Sequence, residues 1–441
     1  MAARRRSRRE LLPEPVVVEA LAHDGRGLAR IEGKAAFIAG ALPGERVRFL
    51  RTRRHRRYDE GECAEVLVPS AERVAPRCPH FGVCGGCSLQ HLDPAAQVRE
   101  KQGWLLDNLR RIGGVAPREV LPPLTGPVWG YRRRARLGVR DVPAKGRVLV
   151  GFRERGGRLI ADLRTCPVLH PWVGERLEAL SALVGSLSVR ARLPQIEVAI
   201  GDEAGALVFR HLAPLAPEDR ERLRAFGAET GLQVLLQPGG PEALEPLDPE
   251  APPLAYAVDG GAVVIRFQAT DFTQVNAAIN RAMVAQAMEL LDPRPGERVL
   301  ELFAGLGNFT LPLARRAGAV VSVEGEAGLV ARARANAEAH GACNVEHHVA
   351  DLARDPTGAP WLAGGYDAVL LDPPRSGAEA VVGHLGATGA RRILYVSCGP
   401  ATLARDAAVL AAQGYRLAAA GVMDMFPHTA HVESMALFER A

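Results

Sequence analysis

Lysine is almost missing from this chain: Lys34, Lys101 and Lys145 are the only three among 55 basic residues, so arginine carries the positive charge. No apolar run reaches the roughly 18 residues that a membrane-spanning helix needs. No apolar segment follows the arginine-rich residues 1–9, as a secretory signal would require. Cysteine is sparse and odd in number, seven in 441 residues, which argues against a disulfide framework. The expected location is the cytoplasm, with no membrane contact.

What is present is ordinary for a soluble globular protein: 47% hydrophobic and 24% charged residues, over a length that suits two or three domains. The net charge of +5 is unevenly placed, with one cluster at Arg4, Arg5, Arg6, Arg8 and Arg9 and another at Arg51, Arg53, Arg54, Arg56 and Arg57. A general preference for arginine explains its abundance but not this clustering. Clusters of this kind suit phosphate contacts, so the expected partner is a nucleic acid.

Between residues 16 and 68, short β-like runs alternate with the turn signals Asp24-Gly25, Gly33-Lys34 and Pro43-Gly44. Five closely spaced strands predict a small barrel of the OB type, a fold often used to hold single-stranded nucleic acid. A cysteine-dense stretch follows, and then residues 97–112 show Leu105, Leu109 and Ile112 at helical spacing before Gly113-Gly114. Residues 129–236 mix β-like runs with one charged helix, which predicts an α+β middle domain. Its Arg132, Arg133, Arg134 and Arg136 follow Trp129 and Tyr131, an interleaving that suits either an RNA loop or a solvated strand face. The proline-rich residues 238–253 mark a boundary or surface loop, and Asp259-Gly260 between two apolar runs predicts a hairpin.

From residue 297 the pattern changes. Strands are expected at 299–303, 320–324, 345–351, 368–372 and 393–397, with helices between them and a last strand at 435–438. This alternation predicts an α/β domain with a largely parallel sheet covered on both faces, whose ligands bind beyond the carboxyl ends of the strands. There Gly305-Leu306-Gly307-Asn308 forms a glycine turn before a helix, and Glu324, Asp351 and Asp372 end the next three strands. Three carboxylates in succession suit S-adenosylmethionine, with ribose at Glu324, adenine near Asp351 and the methionine end near Asp372. A nicotinamide dinucleotide is the nearer rival, but Thr310 stands where the third glycine of that fingerprint would fall.

Cys398, in Val396-Ser397-Cys398-Gly399-Pro400, lies just past an apolar strand and is a candidate nucleophile. Asp372-Pro373-Pro374-Arg375 has arginine where an enzyme methylating an exocyclic amine would carry an aromatic, so the thiol is the distinctive group. A thiolate adding to carbon 6 of uracil activates carbon 5 toward a methyl donor, and a base must then remove the carbon 5 proton. Glu433, His431 and His428 are candidates for that base, and spacing does not rank them. Upstream, Cys78-x5-Cys84-x2-Cys87 with the distant Cys166 offers four thiolates, a set that fits zinc or an iron-sulfur cluster.

Residues 301–313, 371–377, 395–406 and 428–438, with Phe272-Thr273-Gln274-Val275-Asn276, closely resemble the RNA uracil-5-methyltransferases, and the resemblance spans nearly the whole chain. It implies a Rossmann-like class I methyltransferase domain (97–125 and 266–441), an N-terminal OB-like TRAM barrel (10–68) and a central α+β iron-sulfur domain (69–96 and 126–265). Cys398 is then the nucleophile and Glu433 the base. Gln274, Phe303, Asn308, Glu324, Asp351 and Asp372 contact S-adenosylmethionine, and Cys78, Cys84, Cys87 and Cys166 hold a [4Fe-4S] cluster. The implied substrate is a specific uridine of 23S rRNA, methylated by a monomer without an obligate protein partner. A tRNA uracil-5-methyltransferase and a radical S-adenosylmethionine methylthiotransferase are the alternatives, the latter calling for a Cys-x3-Cys-x2-Cys triad that Cys78-x5-Cys84 does not match. Gly399 and Ala304 depart from the asparagine and cysteine common at those family positions, and neither removes a reacting group.

Overall fold

The computed structural model describes residues 9–240 and 243–440, which belong to two compact units. Arg4, Arg5, Arg6 and Arg8 lie outside the described residues. The first unit runs through Lys101 and includes Arg153–Leu159 and Phe426–His431; the second holds Gln102–Phe152, Ile160–Met425 and Val432–Ala441. Among the described residues no helix is long and apolar enough to cross a membrane.

The first unit is built on strands β1 (Glu10–Leu11), β2 (Val16–Leu21), β3 (Gly27–Ile31), β4 (Lys34–Ala39), β5 (Arg46–Arg54) and β6 (Tyr58–Val68). Their order is β1-β5-β2-β3-β4-β6, and β5 also pairs with β6, which closes the sheet into the expected barrel. Alternation along the strands sends Val16, Val18, Ile38, Val47 and Phe49 inward, where they pack with Ala29, Ala36 and Ala41. At Gly61 the closing strands come so near that an added Cβ would meet the Leu50 carbonyl and the Phe49 ring.

The expected iron-sulfur domain is corrected here. Among the described residues no group of three or more His, Cys, Asp or Glu side chains is placed to hold a metal ion. The cysteine-dense segment is instead a run of turns closed by protein hydrogen bonds: Phe81 N–H to the Cys78 carbonyl at 3.1 Å, Cys84 N–H to the His80 carbonyl at 3.0 Å, and Cys78 N–H to Gln90 Oε1 at 3.1 Å. Cys84 Sγ accepts the Gly86 N–H at 3.4 Å, and burial pushes its thiol upward.

Helix α1 (Pro94–Arg111) begins where Asp93 Oδ1 accepts the N–H groups of Ala95 and Ala96 at 2.9 and 3.2 Å. The short strand β7 (Glu119–Val120) follows, then β8 (Arg134–Val142), β9 (Arg147–Gly151), α2 (Pro171–Gly174), α3 (Leu177–Ser186), β10 (Gln195–Ile200), β11 (Gly205–Arg210), α4 (Pro217–Thr230), β12 (Gln233–Gln237) and β13 (Glu245–Pro246). Strands β8 to β13 form a six-stranded sheet in the order β13-β12-β11-β10-β8-β9, with α3 against β9 and α4 against β12. The predicted hairpin is present as β14 (Leu254–Val258) and β15 (Val263–Phe267).

The last sheet uses α5 (Ala277–Leu291), β16 (Arg298–Leu302), α6 (Thr310–Ala314), β17 (Ala319–Glu324), α7 (Ala327–Ala339), β18 (Val345–Val349), β19 (Ala368–Leu371), α8 (Glu379–Val382), β20 (Arg392–Ser397), α9 (Pro400–Ala412), β21 (Tyr415–Met423) and β22 (Glu433–Arg440). Its order is β18-β17-β16-β19-β20-β22-β21-β7. The five strands β18, β17, β16, β19 and β20 are parallel, and β22 lies antiparallel between β20 and β21. Strand β21 escapes the sequence pattern because Ala418-Ala419-Ala420-Gly421 has weak strand propensity; burial at this position in the sheet overrides it.

Gly61→Ala should weaken the barrel by about 1–3 kcal/mol, the usual cost of forcing an extra carbon into a packed interior. Hydrogen exchange should then speed up in β5 and β6 while the β16 to β20 amides keep their protection. Equal exchange in β5 and β6 would contradict the close approach at Gly61.

Candidate active site

Strand order reverses between β16 and β19, because the chain leaves β16 toward β17 on one side and returns to β19 on the other. In a parallel sheet such a reversal opens a crevice beyond the carboxyl ends. The expected cofactor residues lie along it. Phe303 follows β16 with φ of 63°, and Gly305 and Gly307 continue the turn at 58° and 98°. Glu324 ends β17, and its carboxylate accepts the N–H groups of Gly305 at 3.1 Å and Glu326 at 3.0 Å. Asp372 follows β19, with its own N–H on the Leu302 carbonyl at 3.3 Å.

Asn308 is held rather than open: its amide exchanges two 3.0 Å hydrogen bonds with Asn280, and the Tyr256 hydroxyl donates to it at 3.2 Å. Gln274 is half-buried, just before Asn276, which caps α5 by accepting the Ile279 N–H at 3.3 Å. Asp351 is exposed, two residues past the end of β18, and pairs with Arg354 at 2.9 Å. The structure therefore gathers Phe303, Glu324 and Asp372 around the glycine turn and leaves Asp351 at the solvent edge.

Cys398 and Glu433 meet through strand register. β20 and β22 pair antiparallel with Tyr395 opposite Ala436 and Ser397 opposite Ser434, where the ladder ends; Cys398 and Glu433 are the next residues along, and the Glu433 charge reaches the Cys398 thiol. His428 and His431, the other candidate bases, belong to the other unit, where Gln97 binds the His428 N–H at 2.8 Å and its Nδ1 at 3.3 Å.

The electrostatics of the crevice are acidic. Burial pushes the Glu301 carboxyl up to about 8, opposed in part by the nearby Thr310 hydroxyl and reinforced by Asp372 and Glu324. Burial also raises Asp372 to about 7. The Cys398 thiol is pushed up to about 11, first by burial and then by Glu433 and Asp372, with Arg375 pulling the other way. Both Glu301 oxygens and the Thr310 hydroxyl are buried, and they lie against each other. A crevice floored by buried carboxyl groups fits S-adenosylmethionine, whose sulfonium and ammonium are cationic, and Glu324 keeps lone pairs for ribose hydroxyls.

Other residues hold the site in place and left no signal in the spacing. Buried Tyr395 donates to Asp406 at 2.7 Å, and the same Asp406 oxygen accepts the Ala378 N–H at 2.8 Å. Arg405 reaches the other Asp406 oxygen at 2.8 Å and the Ser376 carbonyl at 3.0 Å, while Thr402 Oγ1 binds the Arg375 carbonyl at 3.2 Å. These bonds clamp the loop carrying Arg375 onto α9, the helix that starts beside Cys398. The same packing accounts for Gly399, since a Cβ there would stand 2.7 Å from Thr402 Oγ1.

Of the arginines that follow Tyr131, three are structural. Arg132 donates to the Arg134 carbonyl at 3.0 Å, Arg133 pairs with Asp202 at 2.5 Å, and Arg134 donates to the Ala269 carbonyl; Arg136 alone is largely exposed at its side chain. In the barrel unit Arg51 is tied to Glu10 and Asp59, and Arg54, Arg56 and Arg57 are exposed around the β5–β6 hairpin.

The sequence profile described as tRNA (Uracil-5-)-methyltransferase matches residues 254–354 and 364–441, and that of the TRAM domain matches residues 14–63. Among curated proteins, a 23S rRNA (uracil(1939)-C(5))-methyltransferase RlmD of Alkalilimnicola ehrlichii is 57% identical over 99% of both chains. Its namesake in Methylococcus capsulatus is 54% identical, again over 99% of each. The crystal structure of a Pyrococcus abyssi tRNA (uracil-54, C5)-methyltransferase in complex with S-adenosyl-L-homocysteine superimposes with a TM-score of 0.73 at 24% identity, covering 96% of this chain and all of that one, a likeness of fold. Identity above one half along essentially the full length is much more than a shared fold requires, and by it the chain belongs to the RNA uracil-5-methyltransferases.

Proposed function

We propose that this protein methylates carbon 5 of a specific uridine in 23S rRNA through a transient bond between Cys398 and the pyrimidine ring. The observation that supports the reading is that the β20–β22 ladder ends one residue short of Cys398 and of Glu433, with the Glu433 charge reaching the thiol. The curated relatives are named for uracil 1939, and the equivalent uridine is the expected target. The protein is expected to act as a monomer in the cytoplasm.

Gln274, Phe303, Asn308, Glu324, Asp351 and Asp372 would hold S-adenosylmethionine, with Glu301 beneath them. When bound, this cofactor supplies a methyl group made electrophilic by its sulfonium. The sulfur of Cys398 adds to carbon 6 of uracil, and the ring electrons displaced by that addition make carbon 5 nucleophilic. Once carbon 5 carries the methyl group, Glu433 removes its proton; the electron pair left behind restores the ring double bond and expels the sulfur. The target base must leave its stack to reach Cys398, so the RNA is held with that nucleotide turned out. The exposed arginines of the barrel suit the phosphate contacts that such a grip needs.

Cys398→Ala should lower 5-methyluridine formation by roughly 10⁴-fold or more and abolish the covalent adduct with 5-fluorouridine RNA. Glu433→Gln should lower it by about 10²- to 10⁴-fold while letting the adduct accumulate, because the step that releases sulfur is the one impaired. Mapping 5-methyluridine across rRNA and tRNA in a deletion strain complemented with wild type or Cys398→Ala checks the substrate. A mark lost from tRNA, with rRNA unchanged, would give the tRNA reading its place.

The raised thiol makes a pH prediction. With the Cys398 thiol pushed up to about 11, the free protein holds it neutral at pH 7, and iodoacetamide should modify it slowly until well above pH 9. Removing the negative neighbour in Glu433→Gln lowers the pH at which the thiolate forms and speeds modification at pH 8. Arg375→Ala acts oppositely. Peptide mapping by mass spectrometry reads Cys398 separately from the other cysteines, and identical profiles in all three proteins would contradict the assigned neighbours.

A further inference from the structure

The central six-stranded sheet carries a polar cavity that plays no part in the chemistry above. Its volume is about 230 Å³, and Arg136, Gln195, Glu197, Arg210, Gln237 and Gly239 line it. The lining follows from register. Gln195 of β10 pairs with Arg210 of β11, which pairs in turn with Gln237 of β12, giving a row of three polar side chains across three strands. Two residues along β10, Glu197 is opposite Arg136 of β8 and so faces the same side.

Several of these groups have unspent bonding capacity. Gln237 is only 5% exposed, lines the cavity, and its carboxamide has no hydrogen-bond partner among the described residues. Arg136 Nε and Gln195 Nε2 both donate to Glu197 Oε1, at 3.2 and 2.8 Å, which leaves Oε2 able to accept. Arg210 is exposed and makes no ion pair among the described residues. A carboxamide open to a cavity keeps a donor and an acceptor for whatever enters it.

We infer that this cavity binds one unstacked nucleotide of the RNA substrate, other than the target uridine, with its phosphate on Arg136 and Arg210 and its base edge on Gln237 and Glu197. The cavity is smaller than a drug-sized pocket and suits a single base. Guanidinium forks match phosphate, and carboxamides pair with base edges through a donor and an acceptor together. The free Glu197 oxygen accepts only, so it favours the exocyclic amine of cytosine over the carbonyl that uracil presents at the same ring position. The inference rests on the reading of the protein as an RNA enzyme.

The test measures binding of the full-length protein to a 23S rRNA transcript at several salt concentrations, with oligocytidylate and oligouridylate as competitors. Arg210→Ala should weaken transcript binding about tenfold and reduce the salt slope by about one, and Arg210→Lys should restore the slope. Gln237→Leu should weaken binding by about fivefold to a hundredfold with the slope unchanged, and should erase the wild-type preference for oligocytidylate over oligouridylate. Gln195→Ala, at a half-buried position, repeats that measurement should Gln237→Leu fail to fold. Wild-type affinity, slope and competitor preference in the variants would overturn the inference. Absence of 5-methyluridine in transcript treated with wild-type protein would instead overturn the functional reading itself.

Discussion

The antiparallel pairing of β22 with β20 is the constraint on which the site depends. A parallel sheet alone brings each strand's carboxyl end to the crevice, so it can present Glu324, Asp372 and Cys398 but no residue from the start of a strand. Reversing one strand brings an amino-terminal end to the same edge, and Glu433 is the first residue of that strand. The side-chain period of two makes this placement strict. A slip of one residue would turn Glu433 to the other face and replace it with Ser434 or Val432, neither of which carries a carboxylate.

That arrangement crowds acids around a thiol. Glu433 and Asp372 add to burial in holding Cys398 neutral, and Asp372 and Glu324 add to burial in raising Glu301. A cation seated among these groups relieves both effects at once, since it stabilises the carboxylates it touches and the thiolate beyond them. The same field that keeps the Cys398 thiol neutral therefore favours a sulfonium ligand. The N-terminus of α9, just past Gly399, and the clamped loop bearing Arg375 provide the positive potential on the other side of the sulfur.

Much of this was legible in the chain. The barrel strands, the glycine turn, the carboxylates ending β17 and β19, and Cys398 after an apolar run are local patterns, and local patterns survive in sequence. Register does not: nothing in the spacing ranks Glu433 above His428 and His431, because the choice depends on which strand pairs with which. β21 was hidden by its alanines, and the Asn308–Asn280–Tyr256 and Tyr395–Asp406 contacts by their long separations. The cysteines misled for the converse reason. Their spacing resembles a ligand set, but spacing along the chain does not make side chains converge, and among the described residues no metal-holding group forms.

The central sheet extends the same logic from catalysis to recognition. Gln195, Arg210 and Gln237 are unremarkable one by one, each a polar residue at the end of a short strand. Two antiparallel contacts and one parallel contact bring them and Arg136 into neighbouring rows, and the alternation that buries Ile196, Val198 and Phe209 on one face leaves the other face to them. A sheet face of this kind has a rigid floor, so its amides and guanidiniums are set before any ligand arrives and little ordering entropy is lost on binding. A base flipped toward Cys398 has to be replaced in the RNA's own stacking and pairing scheme. A second preformed seat for a neighbouring nucleotide lowers the cost of that rearrangement by holding the distorted strand at two points instead of one.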